Sequence, residues 1–170
     1  MQTSVQKITP FLWFDNQAEE AVSFYTSVFK DSKIVRVTRY GEEAAQVSER
    51  PKGTAMTVAF QLAGQQFVAL NGGPHFQFTA AISFVVNCES QDEVDYYWGK
   101  LSEGGDEKAQ QCGWLKDKYG VSWQIVPTEL GELLSNPDPE KSGRVMKAML
   151  QMKKINVATL KQASDGRGMA

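Results

Sequence analysis

The apolar residues of this chain fall into short clusters whose spacing switches between two and three-to-four and back. "ITPFLWF", Ile8 to Phe14, is a run of aromatic and branched side chains ending at the polar "DNQ", which predicts a strand. From Ala18 to Phe29 the residues Ala21, Phe24, Tyr25 and Val28 recur at i, i+3, i+4, i+7. Glu19 and Glu20 sit in the first turn, where a helix dipole favours anions, so this segment predicts an amphipathic helix. "SKIVRVTRY", Ser32 to Tyr40, sets Ile34 and Val35 among charged residues and predicts a second strand. Gly41 to Gly53 is polar, contains a proline and reads as a surface loop. "TAMTVAFQLAGQQFVALNGG" predicts a hairpin that turns at Ala63 and Gly64.

After Gly73 the same order begins again. Shifted by 72 residues, "FLWFDNQAEEAVSFYTSVF" lies over "SFVVNCESQDEVDYYWGKL", with Phe24 and Tyr25 on Tyr96 and Tyr97, Val22 on Val94 and Phe29 on Leu101. A hairpin follows, "GWLKDKYGVSWQIVP", turning at Lys118 to Gly120, with the charged "KDK" around Asp117 expected to face solvent. Strand, helix and hairpin recurring in one order predict an internal duplication of a β-α-β-β-β unit. Residues 1–73 and 74–128 are the expected modules of one structural domain, and 129–170 a helical extension. In that extension Pro139 suits a first helical turn. Val145, Met146, Met149, Leu150 and Met152 follow at helical spacing, a methionine stripe that reads as core or subunit contact, and Asn156 is placed to cap a short last helix.

The bulk numbers narrow the partners. A chain of 170 residues that is 42 % apolar can bury a full core. Its formal charge of -2 and lack of like-charge blocks give no footprint for nucleic acid or an anionic membrane. "MQTSVQKITP" has no apolar signal core, and no run approaches the roughly 20 apolar residues of a membrane helix, so a cytoplasmic location is expected. Cys88 and Cys112 then read as reduced thiols, without the Cys-x-x-Cys of zinc or redox work. No glycine-rich turn follows a strand and no Gly-x-Ser-x-Gly occurs, so nucleotide-dependent and serine-hydrolase chemistry have no motif to stand on.

"PFLWFDNQAEEAVSFYTSVF", "FVALNGGPHFQFTAAISFVV", "CGWLKDKYGVSWQIVP" and "VMKAMLQMKKINVATLKQA" together resemble the vicinal oxygen chelate superfamily, which includes glyoxalase I, extradiol dioxygenases and bleomycin-resistance proteins. Within it they are most similar to the PhnB-like branch, labelled demethylubiquinone methyltransferase-like. The resemblance implies an α+β fold of two βαβββ modules, their curved mixed sheet wrapped round a cavity, commonly in a homodimer.

Metal enzymes of the superfamily take a His or Glu ligand from the first and last strand of each module. On this sequence those positions are Pro10, Ala69, Ala81 and Gln124, and one-residue shifts bring in Thr9, Phe11, Val68, Leu70, Ala80, Ile82, Trp123 and Ile125. None is imidazole, thiolate or carboxylate, the donors that zinc or iron prefer. The expectation is no metal and no other cofactor.

His75, the only histidine, precedes the second module's first strand. It reads chiefly as part of the crossover "NGGPHF", in which Gly72 and Gly73 can take positive φ, with a place at the cavity mouth as base or hydrogen-bond partner as the alternative.

Strand alternation through the same anchors points Leu12, Phe14, Phe67, Asn71, Ser83, Ser122 and Gln124 at the cavity. With His75 at its mouth they would bind a small flat or apolar organic molecule, unless they simply fill a core between the modules. The leading expectation is a metal-free small-molecule-binding protein of the PhnB-like branch, ligand unspecified. The alternative is a lyase, isomerase or dioxygenase that uses a displaced metal or an acid-base pair drawn from His75, Gln124 or Tyr25. A third is an assembly module with no small ligand. Trp114 and Trp123 lie near the same region, with their facing open.

Overall fold

The computed structural model describes residues 5–168; the first four and last two residues of the sequence, which belong to the expected first module and helical extension, lie outside the described residues. The chain divides into two compact units, Met1–Phe78 and Thr79–Ala170, so residues 74–78 group with the first unit and the helical extension with the second.

The first unit holds β1 (Phe11–Phe14), α1 (Ala18–Val28), β2 (Lys33–Arg39), α2 (Glu42–Ser48), β3 (Ala55–Leu62) and β4 (Gln65–Asn71). Its strands form one sheet in the order β1-β4-β3-β2. β1 runs parallel to β4, its neighbour in space but its most distant partner in sequence, and the other pairs are antiparallel. α1 lays Ala18, Ala21, Val22, Tyr25 and Val28 on the sheet, each removed from water, while Phe24 of the predicted stripe stays half-buried. Its first amide has no local side-chain cap. Ala18 N–H instead donates to Asn71 Oδ1 at 2.8 Å, so the end of β4 caps the helix that follows β1. The β3–β4 turn carries positive φ at both Ala63 and Gly64, +46° and +81°, the pattern of a type I′ hairpin.

The polar segment expected as a loop between Gly41 and Gly53 contains α2. "EEAAQVS" is made largely of good helix formers with acidic residues in the first turn, and none of its side chains is buried. Polarity without a buried face hid this helix in the sequence.

The second unit repeats the frame with β5 (Phe84–Cys88), α3 (Gln91–Ser102), β6 (Trp114–Lys116) and β7 (Ser122–Pro127) in the order β5-β7-β6. β5 is parallel to β7 as β1 is to β4. Ser90 caps α3 by accepting from Glu93 N–H, and Glu93 Oε2 accepts in turn from Glu89 N–H at 2.8 Å, close to a capping box. One element departs from the expected duplication: this sheet has three strands, not four. The stretch "EGGDEKAQQ" after α3, where a counterpart of β2 would lie, is too polar to pair as a strand and forms a 3-10 turn at Glu107–Ala109 and one isolated bridge from Gln111 to Trp114.

The "KDK" hairpin also differs from expectation. Asp117 is 2 % exposed. Its Oδ1 accepts from Tyr119 N–H at 2.9 Å and Val121 N–H at 3.0 Å, and its Oδ2 from Trp123 Nε1–H at 2.8 Å. The carboxylate is a buried tie that sets the turn, and only the flanking lysines reach outward. Charge patterning alone does not distinguish the two cases.

α4 (Thr128–Leu134), α5 (Pro139–Met149) and α6 (Val157–Ser164) complete the unit, with Pro139 in the first turn of α5 and Asn156 capping α6 as predicted. Leu130, Val145, Ile155 and Leu160 make a buried cluster, flanked by Val126 of β7, Met149 and Met152. The methionine stripe is thus partly core, while Met146 and Leu150 remain exposed. Backbone bonds from Cys112 N–H to Met152 C=O and from Gly113 N–H to Lys153 C=O, both 2.8 Å, fasten the extension to the sheet.

Candidate functional site

Each sheet has a face covered by its own helix and a face turned away from it. In the first unit Asn71 bonds α1, so Phe67 and Ala69 on the same side of β4 also face α1. Leu12 and Phe14, paired with Ala69 and Asn71, face it too. Leu12, Phe14, Phe67 and Asn71 are all buried, and the Asn71 amide is fully used, donating to Ala55 C=O at 3.1 Å. These four residues were expected to line an open cavity. They form the helix–sheet core instead, and the opposite face carries Phe11, Trp13, Val68 and Leu70. The cause lies in β1: "FLWF" is apolar on both sides, so alternation has no contrast from which to read its facing, and one residue of slip reverses every side chain.

His75 is exposed beyond β4 and stands edge-on to Trp13 with ring centroids 6.5 Å apart. The loop around it is held by Trp13, whose Nε1–H donates to Gly73 C=O at 2.9 Å, and by Phe76, stacked edgewise on the same indole at 4.9 Å. A Cβ on Gly72 would fall 2.3 Å from the Trp13 ring, and Gly73 has φ +96°, so both glycines are required by local geometry. Tyr25 is fully buried on the inner side of α1 and is removed from the set of accessible acid-base groups.

The positions expected from the superfamily resemblance fall on or near the strands. Pro10 precedes β1, and Ala69 sits opposite Leu12 in the parallel register. Ala81 is exposed ahead of β5, and Gln124 lies opposite Val85 and Trp114. None offers imidazole, thiolate or carboxylate, and among the described residues no three His, Cys, Asp or Glu side chains come together as a metal would need. These residues do not fit a zinc or iron centre. Cys88 is no exception: burial, with help from Glu93, pushes its thiol up to about 11, and it faces α3 rather than an open surface.

In the second unit the two faces of the sheet separate by burial. Val86, Cys88, Ile125 and Pro127 are buried toward α3 together with Trp123. Ser122 and Gln124 therefore point from the other side, beside Trp114 and Lys116 of β6. Gln124 Nε2 donates to Ser83 Oγ at 2.9 Å, joining two of the expected residues. A hollow of about 250 Å³ opens here, lined by Ala80, Asp106, Lys108, Ala109, Trp114, Leu115, Lys116 and Ser122. Of the two tryptophans, Trp114 faces this hollow and Trp123 is committed to Asp117. Lys108 and Asp106 were absent from the sequence reading, in which Lys116 stood only as part of the solvent-facing "KDK". The register of the "WLKDKYGVSWQ" hairpin, counted outward from its turn, is the signal that places Trp114 and Lys116 beside Ser122.

The sequence model of the 3-demethylubiquinone-9 3-methyltransferase family matches residues 6–126. The chain belongs to this family. A PhnB protein from Bacillus cereus of the same description is 40 % identical, with a TM-score of 0.62 over 72 % of this chain and 100 % of that one. A FosX fosfomycin resistance protein from Listeria monocytogenes is 14 % identical with a TM-score of 0.53, over 78 % of this chain and 99 % of the other. One from Mesorhizobium loti is 12 % identical with a TM-score of 0.53, over 78 % and 98 %. The FosX similarities carry the glyoxalase-like fold alone, and both sheets here are open rather than closed into barrels. No curated protein matches the sequence. The family match stops at residue 126, just short of the three-helix extension.

Proposed function

We propose that this PhnB-like protein binds a small organic molecule without a metal, against the open face of the second sheet. The observation that carries the reading is the hollow of the second unit, lined by an indole, a hydroxyl and charged groups, in a chain whose residues at the positions the superfamily resemblance assigns to metal ligands include no imidazole, thiolate or carboxylate. Ser83, Ser122 and Gln124 orient the ligand by hydrogen bonds, and Trp114 supplies its apolar contact.

Methyl transfer, which the family's description names, is not part of the proposal, because the chain has no glycine-rich strand-to-helix turn for a nucleotide cofactor. Among the described residues no helix is long and apolar enough to cross a membrane. We place the protein in the cytoplasm as a homodimer, to be checked by light scattering of the purified chain.

Native mass spectrometry and elemental analysis of protein purified without chelator test the reading together. The expected result is a co-purified organic mass and no stoichiometric metal. A divalent ion bound one to one through dialysis would overturn it.

A further inference from the structure

Resting on that proposed reading, we infer that the hollow beside β6 takes a small organic anion with a flat apolar body, an aryl carboxylate being the simplest case. The argument is a balance of donors and acceptors. Lys108 and Lys116 are among the lining residues with one acidic residue, Asp106, an excess of one positive charge in a chain whose formal charge is -2. Neither lysine has a carboxylate within ion-pair distance among the described residues, so neither charge is neutralised internally. Asp106 is engaged differently: its Oδ1 accepts from Lys108 N–H at 3.0 Å and caps the 3-10 turn.

Ser122 supplies an independent pointer. It is only 5 % exposed, yet its hydroxyl makes no hydrogen bond among the described residues. Among those residues no fully enclosed side-chain oxygen or nitrogen lacks a partner. The small part of Ser122 still open must therefore include Oγ, and the hollow is the space it opens on. Open to the hollow and without a protein partner among the described residues, this hydroxyl is available to bond a ligand acceptor there. The half-buried Trp114 adds an indole N–H, also unpaired among the described residues, and a flat apolar wall. Two ammoniums, one indole N–H and one hydroxyl outnumber the acceptors, which selects an acceptor-rich, anionic head group. Ala80 and Ala109 leave the remainder apolar. At about 250 Å³ the hollow is smaller than the roughly 300–1,000 Å³ of drug-sized sites and suits a molecule of one ring.

The test uses the full chain labelled with nitrogen-15 and three probes of one shape, benzoate, benzamide and benzylamine. The indole N–H resonance of Trp114 is assigned with Trp114→Phe and separated from those of Trp13, Trp98 and Trp123. Benzoate should shift the Trp114 signal in a saturable way, with benzamide and benzylamine weaker by about tenfold or more. Binding should weaken as salt is raised from about 0.02 to about 0.2 M. Lys116→Met and Lys108→Met should each weaken benzoate several-fold without moving the other indole signals, and Ser122→Ala should do so more modestly.

Equal binding of benzamide or benzylamine, or lysine variants that bind benzoate as the parent does, would overturn the anion assignment. So would a Trp114 signal that none of the three probes moves. The broader small-molecule reading has its own readout, the co-purified mass, and stands or falls on that result separately.

Discussion

Asp117, Cys88 and Gly72 show how single positions are decided by what surrounds them. Asp117 looks like one charge in a solvated turn, yet it gathers three N–H donors in a buried pocket. Asp117→Ala would leave those donors without an acceptor and should cost about 3 kcal/mol, read as a lower urea midpoint at unchanged slope. Cys88 is neutral in the folded chain because burial and Glu93 raise its thiol from the ordinary 9.0 to about 11. A raised folded value means that its contribution is complete below pH 9 and is lost as pH rises through about 11. That loss is on the order of 2 kcal/mol, and Tyr97, also raised, chiefly by burial, adds to it in the same direction. Denaturation between pH 8 and 11 should show the decline, and Cys88→Ala should flatten it. Ellman's reagent at pH 8 should titrate only Cys112 until the protein is unfolded. Gly72→Ala should push Trp13 off its seat and cost about 1 to 3 kcal/mol, seen in the melting temperature and in Trp13 fluorescence.

At the scale of elements, the hairpins and helices follow local rules closely enough to be read in advance, and the limits of that reading are equally local. The Ala63–Gly64 turn is visible in sequence because a tight polar break separates two branched runs. Ala63, however, pays for a left-handed backbone that alanine disfavours by about 1 kcal/mol. Ala63→Asn should therefore raise the melting temperature by a few degrees. α1 is legible from its stripe, but its cap is not, since Asn71 lies 53 residues away from Ala18. The facing of β7 is legible because Ser122 and Gln124 alternate with Trp123 and Ile125. The facing of β1 is not, because Phe11, Leu12, Trp13 and Phe14 differ little in polarity. The extra helix α2 and the missing fourth strand of the second sheet share one cause: both segments are polar, and polar residues leave little periodic trace.

At the scale of the whole molecule, the extension that follows β7 is part of the second unit's core and not an appendage. Leu160→Ala, within its fully buried cluster, should cost about 2 to 5 kcal/mol. Deleting residues 129–170 would expose Val126 and strip Cys112 and Gly113 of their backbone acceptors. The truncated protein should lose near-ultraviolet circular dichroism and bind the dye ANS.

The sequence by itself determined the duplicated order of strand, helix and hairpin and the helical tail with its caps. Each of these depends on residue type and on spacing within about 20 residues, which short-range sterics and burial translate directly into structure. Tertiary structure alone decided that Leu12, Phe14, Phe67 and Asn71 belong to a helix–sheet core, that Asp117 is buried, and that Lys108 joins the β6–β7 hairpin round one hollow. Those outcomes turn on strand register and on contacts between elements, and no local pattern encodes either when both faces of a strand are equally apolar.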